Sequence, residues 1–134
     1  MSPNPRSQLL DRLRTKKATI GIVGLGYVGL PLLLRYSEAN FKVLGLDVDE
    51  SKVEKLNAGK SYIAQFESDR VARAHEAGME ATSDPARIAE ADAVIICVPT
   101  PLNKYREPDL RFVTDTTDQL APHLRAGQVV ALES

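Results

Sequence analysis

Cysteine and aromatic residues are scarce in this sequence. Its 134 residues include a single cysteine, Cys97, no tryptophan, and an aromatic content of only 5%. One cysteine excludes an internal disulfide and a cysteine-rich zinc site, and no residue of the sequence is assigned to a metal site. The low cysteine content is typical of a reducing compartment.

An excess of one charge and long apolar runs are missing as well. With 17 basic and 18 acidic residues the net charge is −1, which provides no basic surface for a nucleic acid. No apolar run approaches the ~18 residues of a membrane-spanning helix, and residues 1–17 lack the apolar core of a signal peptide. We therefore predict a cytoplasmic protein with neither a nucleic-acid partner nor a membrane partner.

What the sequence does contain is a strand, a glycine-rich turn, a helix and a second strand in succession. A short apolar run at residues 20–23 leads into Gly24-Leu25-Gly26-Tyr27-Val28-Gly29, and an apolar helical pattern follows. The second strand, Lys42–Leu46, ends on Asp47, which stands 18 positions after the last glycine. A G-x-G-x-x-G motif alone is a weak signal, but this order and spacing are typical of a dinucleotide-binding unit.

Each residue type in this unit suits contact with a dinucleotide. Gly24 allows a tight turn, Gly26 lets the backbone approach a pyrophosphate, and Gly29 lets the helix pack against the strand. The helix N-terminus that follows favours a phosphate group. Asp47 can accept hydrogen bonds from the adenosine ribose and would repel a 2′-phosphate, which favours NAD over NADP. The alternative is a tight turn that binds nothing.

The rest of the chain continues the alternation of strands and helices, and 43% of its residues are hydrophobic, enough for the core of one domain. Further strands are predicted at residues 80–82, 91–98 and 128–132, and further helices at residues 50–58, 67–77 and 109–124. This pattern predicts an α/β fold, a Rossmann-like doubly wound parallel sheet with helices on both faces. The NAD-binding domain is assigned to residues 19–134. Residues 1–18 are predicted to form an N-terminal arm that is disordered over residues 1–7 and helical over residues 8–17.

Two prolines frame Thr100 at the end of the strongest buried strand. Cys97 lies within the apolar run of residues 91–98 and is predicted to be buried core filler with an inert thiol of raised pKa. Pro99-Thr100-Pro101 then ends the strand in a rigid loop. Because ligands bind outside the carboxyl ends of parallel strands, Thr100 is a candidate contact for the nicotinamide half of NAD. Lys52, one turn into the helix predicted at residues 50–58, could reach the adenosine ribose or a phosphate, or remain a solvated lysine.

The chain stops at Glu133-Ser134, at the carboxyl end of the last predicted strand. Ligands are expected at that edge of the sheet, so a complete protein is not expected to stop there. We therefore interpret the sequence as a fragment of a longer protein.

Several short motifs together go beyond a general dinucleotide-binding pattern. They are Gly24-Leu25-Gly26-Tyr27-Val28-Gly29-Leu30-Pro31, Leu46-Asp47-Val48-Asp49, Leu56-Asn57-Ala58-Gly59 with Ser61-Tyr62-Ile63, Cys97-Val98-Pro99-Thr100-Pro101, and Arg106-Glu107-Pro108-Asp109-Leu110. This set resembles the UDP-sugar 6-dehydrogenases over about residues 8–134. Within that family it most resembles the UDP-N-acetylglucosamine 6-dehydrogenase branch.

The resemblance implies an NAD-dependent oxidoreductase that oxidises the C6 alcohol of a UDP-sugar to a carboxylate. Such enzymes use two NAD per turnover, pass through an aldehyde-level and a thioester intermediate on a cysteine, and associate as homo-oligomers. This chain matches only their N-terminal NAD-binding domain, so the nucleophilic cysteine, its partners and the UDP-sugar domain are expected beyond Ser134. No catalytic residue is expected within this chain, which by itself is expected to be inactive and monomeric.

Carried over position by position, the resemblance also implies the contacts with the cofactor. They fall on Gly24, Gly26, Tyr27, Val28, Gly29, Asp47, Lys52, Pro99, Thr100 and Ser134. The residues themselves independently support the glycines, Asp47 and Thr100, whereas the assignments of Lys52 and Ser134 depend mainly on the resemblance. Tyr62 matches a loop of the family, and both packing and ligand binding stay open for it.

Two other functions fit the same fold. A non-catalytic module that senses NAD(H) and gates a partner needs the same glycine loop and the same Asp47. A different dehydrogenase that uses a related domain is a further alternative. The Val98–Pro101 and Arg106–Leu110 segments favour the UDP-sugar dehydrogenase, and a glycine-rich cysteine motif beyond Ser134 would separate the three.

Overall fold

The computed structural model describes residues 4–62 and 68–133, in which five strands form one parallel sheet. The strands are β1 (Thr19–Val23), β2 (Lys42–Leu46), β3 (Glu80–Thr82), β4 (Ala93–Ile96) and β5 (Val129–Leu132). The helices of these ranges are α1 (Pro5–Arg14), α2 (Gly29–Glu38), α3 (Glu50–Asn57), α4 (Ser68–Glu76) and α5 (Arg111–Leu120), with 3₁₀ segments at Pro85–Glu90 and Ala121–His123. None of the described helices is long and apolar enough to cross a membrane.

The order of the strands across the sheet is β3-β2-β1-β4-β5. The chain moves outward from β1 to β3 and then crosses back to β4, on the other side of β1. Because the strand order reverses between β1 and β4, a crevice forms outside their carboxyl ends, where open α/β sheets bind ligands. This topology confirms the predicted Rossmann-like α/β fold.

Helices cover both faces of the sheet because successive side chains of a strand point to opposite sides. Ile20 and Ile22 of β1 join a buried cluster with side chains of α2, α3 and α4. Val23 of the same strand joins a second cluster, with Ile88 of a 3₁₀ segment and Leu120 of α5. The sheet is therefore the middle of three layers, and its carboxyl edge stays open between them.

The first helix begins earlier than its sequence pattern predicts. The expected disorder is wrong for residues 4–7, because the Asn4 side chain accepts a hydrogen bond from the Ser7 N–H at 2.8 Å and Pro5 occupies the first helical turn. Residues 1–3 lie outside the described residues, as does Glu67, the predicted start of the third helix.

The fourth strand and the last helix are both shorter than predicted: β4 begins at Ala93 rather than at residue 91, and α5 begins at Arg111 rather than at residue 109. β4 ends at Ile96, so Cys97 stands just past the strand rather than within it, although its N–H still donates to the Val23 carbonyl at 2.7 Å. Pairing stops there because β1 itself ends at Val23 and the chain turns away. α5 gives way to a 3₁₀ segment after Leu120, where Pro122 cannot donate a helical hydrogen bond.

A buried carboxylate ties α1 to the amino-terminal edge of the sheet. Asp92 is 7% exposed and accepts hydrogen bonds from the Thr19 N–H at 2.8 Å, from Arg12 at 3.0 Å and from Arg125 at 3.1 Å. Burial alone would raise the pKa of Asp92, but these hydrogen bonds outweigh it and hold the pKa below its ordinary value. The ionised carboxylate therefore joins α1, β1 and the turn before β5.

Asp92→Ala is expected to lower the free energy of unfolding by about 2–4 kcal/mol at neutral pH, because the Thr19 N–H and two guanidinium groups lose their shared acceptor. Since the folded-state pKa is depressed, the carboxylate stabilises the fold fully above its unfolded pKa of about 3.9. That stabilisation is lost as the pH falls through the folded pKa. Urea denaturation at neutral and acidic pH measures both effects.

The matched control for this prediction is Asp11→Ala, which removes an exposed carboxylate from α1. It is expected to change stability by no more than about 0.5 kcal/mol. Equal losses in the two variants, or a loss in Asp92→Ala that stays constant down to strongly acidic pH, would contradict the assigned role of the Asp92 carboxylate.

Candidate functional site

A cavity of about 800 Å³ opens outside the carboxyl ends of β1, β2 and β4. One wall is the glycine-rich loop between β1 and α2, and a second is the turn that follows β2. The third wall combines the loop after β4 with one face of α5. The cavity lies in the crevice that the strand order creates, and its size is typical of cofactor sites.

The three glycines of the loop between β1 and α2 are required for different reasons. Gly24 has a φ of +94°, and a Cβ there would lie 2.9 Å from the Cys97 backbone. At Gly29 a Cβ would overlap the Gly24 carbonyl oxygen, so the start of α2 packs directly on the turn. At Gly26 a Cβ would meet no atom within 4 Å. Of these three glycines, only Gly26 therefore leaves free space in front of the backbone.

Asp47 ties the glycine loop to the end of β2. Its Oδ2 accepts a hydrogen bond from the Leu25 N–H and its Oδ1 accepts one from the Asp49 N–H, both at 2.8 Å. Asp49 caps α3 by accepting from the Ser51 hydroxyl at 2.7 Å and from the Ser51 N–H at 3.0 Å, and these bonds lower the pKa of Asp49. Each Asp47 oxygen retains a second lone pair for a ligand hydroxyl.

Lys52 and Tyr62 lie side by side next to this wall. Lys52 lines the cavity from α3, and its Nζ is 5.7 Å from the centroid of the Tyr62 ring, within the range of a cation–π contact. Tyr62 packs against the buried cluster that contains α2, and its hydroxyl donates a hydrogen bond to the Leu25 carbonyl. Of the two interpretations of Tyr62 that its sequence leaves open, the structure supports packing.

The segment after β4 supplies Pro99 and Thr100 to the cavity wall, with Cys97 at its base. Cys97 is buried, and burial first and the charge of Glu133 second raise the pKa of its thiol to about 11. A thiol with this pKa stays protonated near neutral pH and is a poor nucleophile. The predicted burial of Cys97 is confirmed, even though it stands past the strand end.

The α5 wall was not predicted from the sequence. Phe112, Asp115, Thr116 and Gln119 line the cavity. Their spacing of i, i+3, i+4 and i+7 places them on one face of the helix. That spacing was visible in the sequence, but a mostly polar helical face indicates solvent unless the topology places it at a site.

Comparison with known proteins decides the family. A sequence profile of the UDP-glucose/GDP-mannose dehydrogenase family, NAD binding domain, matches residues 18–134. The chain belongs to this family.

Relatives within the UDP-glucose/GDP-mannose dehydrogenase family are considerably longer. UDP-N-acetyl-D-mannosamine dehydrogenase of Yersinia pestis is 40% identical over 118 residues, which are 87% of this chain and 27% of that protein. The crystal structure of NDP-N-acetyl-D-galactosaminuronic acid dehydrogenase from Methanosarcina mazei Go1 gives a TM-score of 0.82 at 32% identity, over 99% of this chain and 30% of that one. GDP-mannose dehydrogenase from Pseudomonas aeruginosa, solved as a ternary complex, gives a TM-score of 0.78 at 27% identity. This match covers 84% of this chain and 27% of that one. The chain thus spans less than a third of their length.

Most of the cofactor-binding residues predicted from the sequence come together at this cavity. Those that line the cavity are Gly24, Gly26, Tyr27, Val28, Asp47, Lys52, Pro99 and Thr100. Gly29 is not among the described lining residues and lies behind the loop against the Gly24 carbonyl. Ser134 lies outside the described residues.

NAD is the cofactor of this domain family, and the residues present fit it. The open space in front of Gly26 gives a pyrophosphate access to the backbone at the start of α2. The Asp47 carboxylate borders the same cavity at the end of β2, where a dinucleotide-binding domain places the adenosine ribose. Within residues 4–62 and 68–133, no group of three or more histidine, cysteine, aspartate or glutamate side chains is placed to hold a metal ion.

Proposed function

We propose that this chain is the NAD-binding domain of an enzyme that oxidises the C6 alcohol of a UDP-sugar to a carboxylate. The family match over residues 18–134 supports the reaction, and the observation that carries the NAD-binding role is the joined geometry of the glycine loop and Asp47. The open face of Gly26 and the Asp47 carboxylate border one cavity, and the Leu25 N–H links them through a 2.8 Å hydrogen bond. A pyrophosphate on the loop and a ribose at the end of β2 would use both at once.

The proposed roles on the adenosine side follow from position and charge. The backbone of residues 24–29, including Tyr27 and Val28, faces the pyrophosphate at the start of α2, where the helix dipole favours negative charge. Asp47 accepts hydrogen bonds from the ribose hydroxyls. Lys52 adds a positive charge beside the ribose or a phosphate.

The proposed roles on the nicotinamide side rest on the loop after β4. Pro99 and Thr100 line the cavity beyond the carboxyl end of the central strands, and the Thr100 hydroxyl can both donate and accept a hydrogen bond. Ser134 remains a proposed contact on the strength of the family resemblance alone.

The proposed reaction requires two oxidations of the same carbon. When bound, NAD accepts a hydride, and two such transfers take the alcohol to the carboxylate, with water supplying the second oxygen and three protons released. The residues of this chain hold and orient the nicotinamide. The buried Cys97 thiol, with its raised pKa, is unsuited to carry the intermediate, so the nucleophile is proposed to lie outside this chain.

For the substrate we propose a UDP-linked 2-acetamido sugar, with UDP-N-acetylglucosamine as the first candidate. The names of the Yersinia and Methanosarcina relatives, an N-acetyl-D-mannosamine and an N-acetyl-D-galactosaminuronic acid dehydrogenase, support the acetamido class. The choice of the glucosamine isomer depends on the sequence motifs alone. We further propose a cytoplasmic homo-oligomer for the full-length enzyme and a monomer for this piece.

The purified chain is expected to bind NAD but to form no NADH with UDP-N-acetylglucosamine. Hydride transfer requires a sugar held beside the nicotinamide in reactive geometry, and the proposed sugar domain is not part of this chain. The full-length enzyme is expected to form two NADH per sugar. Calorimetry measures binding, and NADH absorbance measures turnover with the N-acetylglucosamine, N-acetylmannosamine, N-acetylgalactosamine and glucose forms of the UDP-sugar.

Cys97→Ala in the full-length enzyme tests whether the buried thiol takes part in the reaction. This variant is expected to lower the stability of the enzyme more than its turnover. Turnover by residues 1–134, or loss of turnover in a well-folded Cys97→Ala enzyme, would overturn the assignment of the nucleophile. A full-length protein that binds NAD but oxidises none of the sugars would instead favour a non-catalytic NAD(H) sensor.

A further inference from the structure

Tyr62 approaches the glycine loop from behind. Its hydroxyl donates a hydrogen bond to the Leu25 carbonyl, although the two residues lie 37 positions apart. The ring packs against buried apolar side chains, with the Lys52 Nζ 5.7 Å from its centroid. Tyr62 is not among the described residues that line the cavity, whereas Leu25 and Lys52 are. It therefore contacts two parts of the cavity wall from the protein side.

The backbone N–H, the carbonyl and the side chain of Leu25 each make a contact. Its N–H donates to Asp47 Oδ2 at 2.8 Å, and its carbonyl accepts from Tyr62. Its side chain is fully buried and covers Gly45 of β2, where a Cβ would lie 3.0 Å from Leu25 Cδ1. The centre of the glycine loop is thus fixed by three independent contacts, of which Tyr62 supplies one.

Fixing the Leu25 carbonyl also fixes the amide of Gly26. The described peptide bonds are all trans, and in a planar trans peptide the C=O of one residue and the N–H of the next point in opposite directions. Because the Leu25 carbonyl points to Tyr62, the Gly26 N–H points away from Tyr62. Without the hydroxyl, this peptide could rotate and turn its carbonyl toward an incoming anion.

We propose that Tyr62 is a positioning residue for the cofactor pyrophosphate: its hydroxyl holds the Leu25–Gly26 peptide so that the Gly26 N–H is presented to a phosphate oxygen. The Tyr62 ring at the same time seats Lys52 along the same wall. This inference rests on the proposed placement of the pyrophosphate on the glycine loop.

The protonation state of Tyr62 agrees with a permanent donor. Burial first, and the negative charges of Asp47 and Asp49 second, raise the pKa of Tyr62 well above its ordinary value. The phenol therefore stays protonated throughout the neutral range. A phenylalanine at this position keeps the ring beside Lys52 and removes only the hydrogen bond.

The test compares Tyr62→Phe with Tyr36→Phe in the purified chain. Tyr36 is a matched control because it packs against the same buried cluster from α2, edge-on to Phe41 at a ring separation of 6.0 Å. Tyr62→Phe is expected to weaken binding of NAD and of ADP by about three- to tenfold, the scale of one lost hydrogen bond. Binding of adenosine, which has no phosphate, should stay unchanged, and Tyr36→Phe should bind all three ligands as the unmodified chain does.

A second measurement follows the Gly26 amide by NMR. Its resonance is expected to shift strongly when NAD or ADP is added to the unmodified chain, and less in Tyr62→Phe. Unchanged NAD affinity in Tyr62→Phe, or an equal loss for NAD and adenosine, would overturn the positioning role. A different result, in which the unmodified chain binds NAD without any shift of the Gly26 amide, would refute the proposed placement of the pyrophosphate itself.

Discussion

Gly26→Val is expected to abolish NAD binding while the fold survives. A Cβ at Gly26 would meet no atom within 4 Å, so the protein itself accommodates the new side chain. The branched side chain would extend into the cavity and occupy the space proposed for the pyrophosphate. We expect a loss in affinity of about 100-fold or more, equivalent to about 3 kcal/mol. Calorimetry measures the affinity, and thermal unfolding shows that stability is retained.

Gly29→Val is the matched comparison, because protein atoms already fill the space in front of the Gly29 backbone. Its Cβ would overlap the Gly24 carbonyl oxygen and lie 3.3 Å from the Ile22 side chain. Gly29→Val is therefore expected to cost about 3 kcal/mol or more of stability, irrespective of ligand. Adenosine should bind to Gly26→Val as it does to the unmodified chain. Normal NAD affinity in Gly26→Val would mean that the phosphates do not rest on this loop.

Local sequence patterns were sufficient for the elements around the glycine loop. The strand Lys42–Leu46 was predicted with its observed bounds, because its apolar run is set off from the helix before it and ends at Asp47. The glycine motif fixes the turn within six consecutive residues, so its geometry depends little on the rest of the chain. Contacts that form within a short stretch are the ones that residue spacing can report.

The parts that the sequence did not predict depend on contacts between distant segments. Arg12 and Asp92 stand 80 positions apart, and Tyr62 and Leu25 stand 37 apart, so no local pattern links them. The face of α5 reaches the cavity only because the connection from β4 returns over the second face of the sheet. Likewise, the end of β4 before Cys97 is set by the length of its neighbour β1, which apolar character alone does not reveal.

The end of β2 is a negatively charged corner of the cavity. Asp47 and Asp49 both line it, and Lys52 is the basic residue among the described lining residues. The depressed pKa of Asp49 keeps that carboxylate ionised at neutral pH. A ribose 2′-phosphate would bring a further charge of about −1.5 to −2 to this corner. Two neutral hydroxyls, by contrast, can donate to the free lone pairs of Asp47.

For this reason the unmodified chain is expected to bind NAD more tightly than NADP, and Asp47→Asn is expected to narrow the difference. The asparagine amide keeps one acceptor oxygen. Its NH₂ group, a donor, replaces the other oxygen and faces either the second ribose hydroxyl or the Leu25 N–H of the glycine loop. We expect NAD affinity to fall by about 5- to 150-fold, the equivalent of about 1–3 kcal/mol, while NADP binding weakens less or improves. Calorimetric titration with both cofactors measures the two affinities.

Asp118→Asn is the control for net charge, since Asp118 is exposed on α5 and is not among the described residues that line the cavity. It makes the same change in total charge as Asp47→Asn. If the Asp47 carboxylate acts locally on the ribose, Asp118→Asn is expected to leave the affinities for NAD and for NADP unchanged. Long-range charge would act on both variants alike, because it depends on the protein as a whole rather than on one hydrogen-bonding carboxylate. Equal NAD and NADP affinities in the unmodified chain, or equal shifts in the two variants, would therefore remove Asp47 from the ribose site.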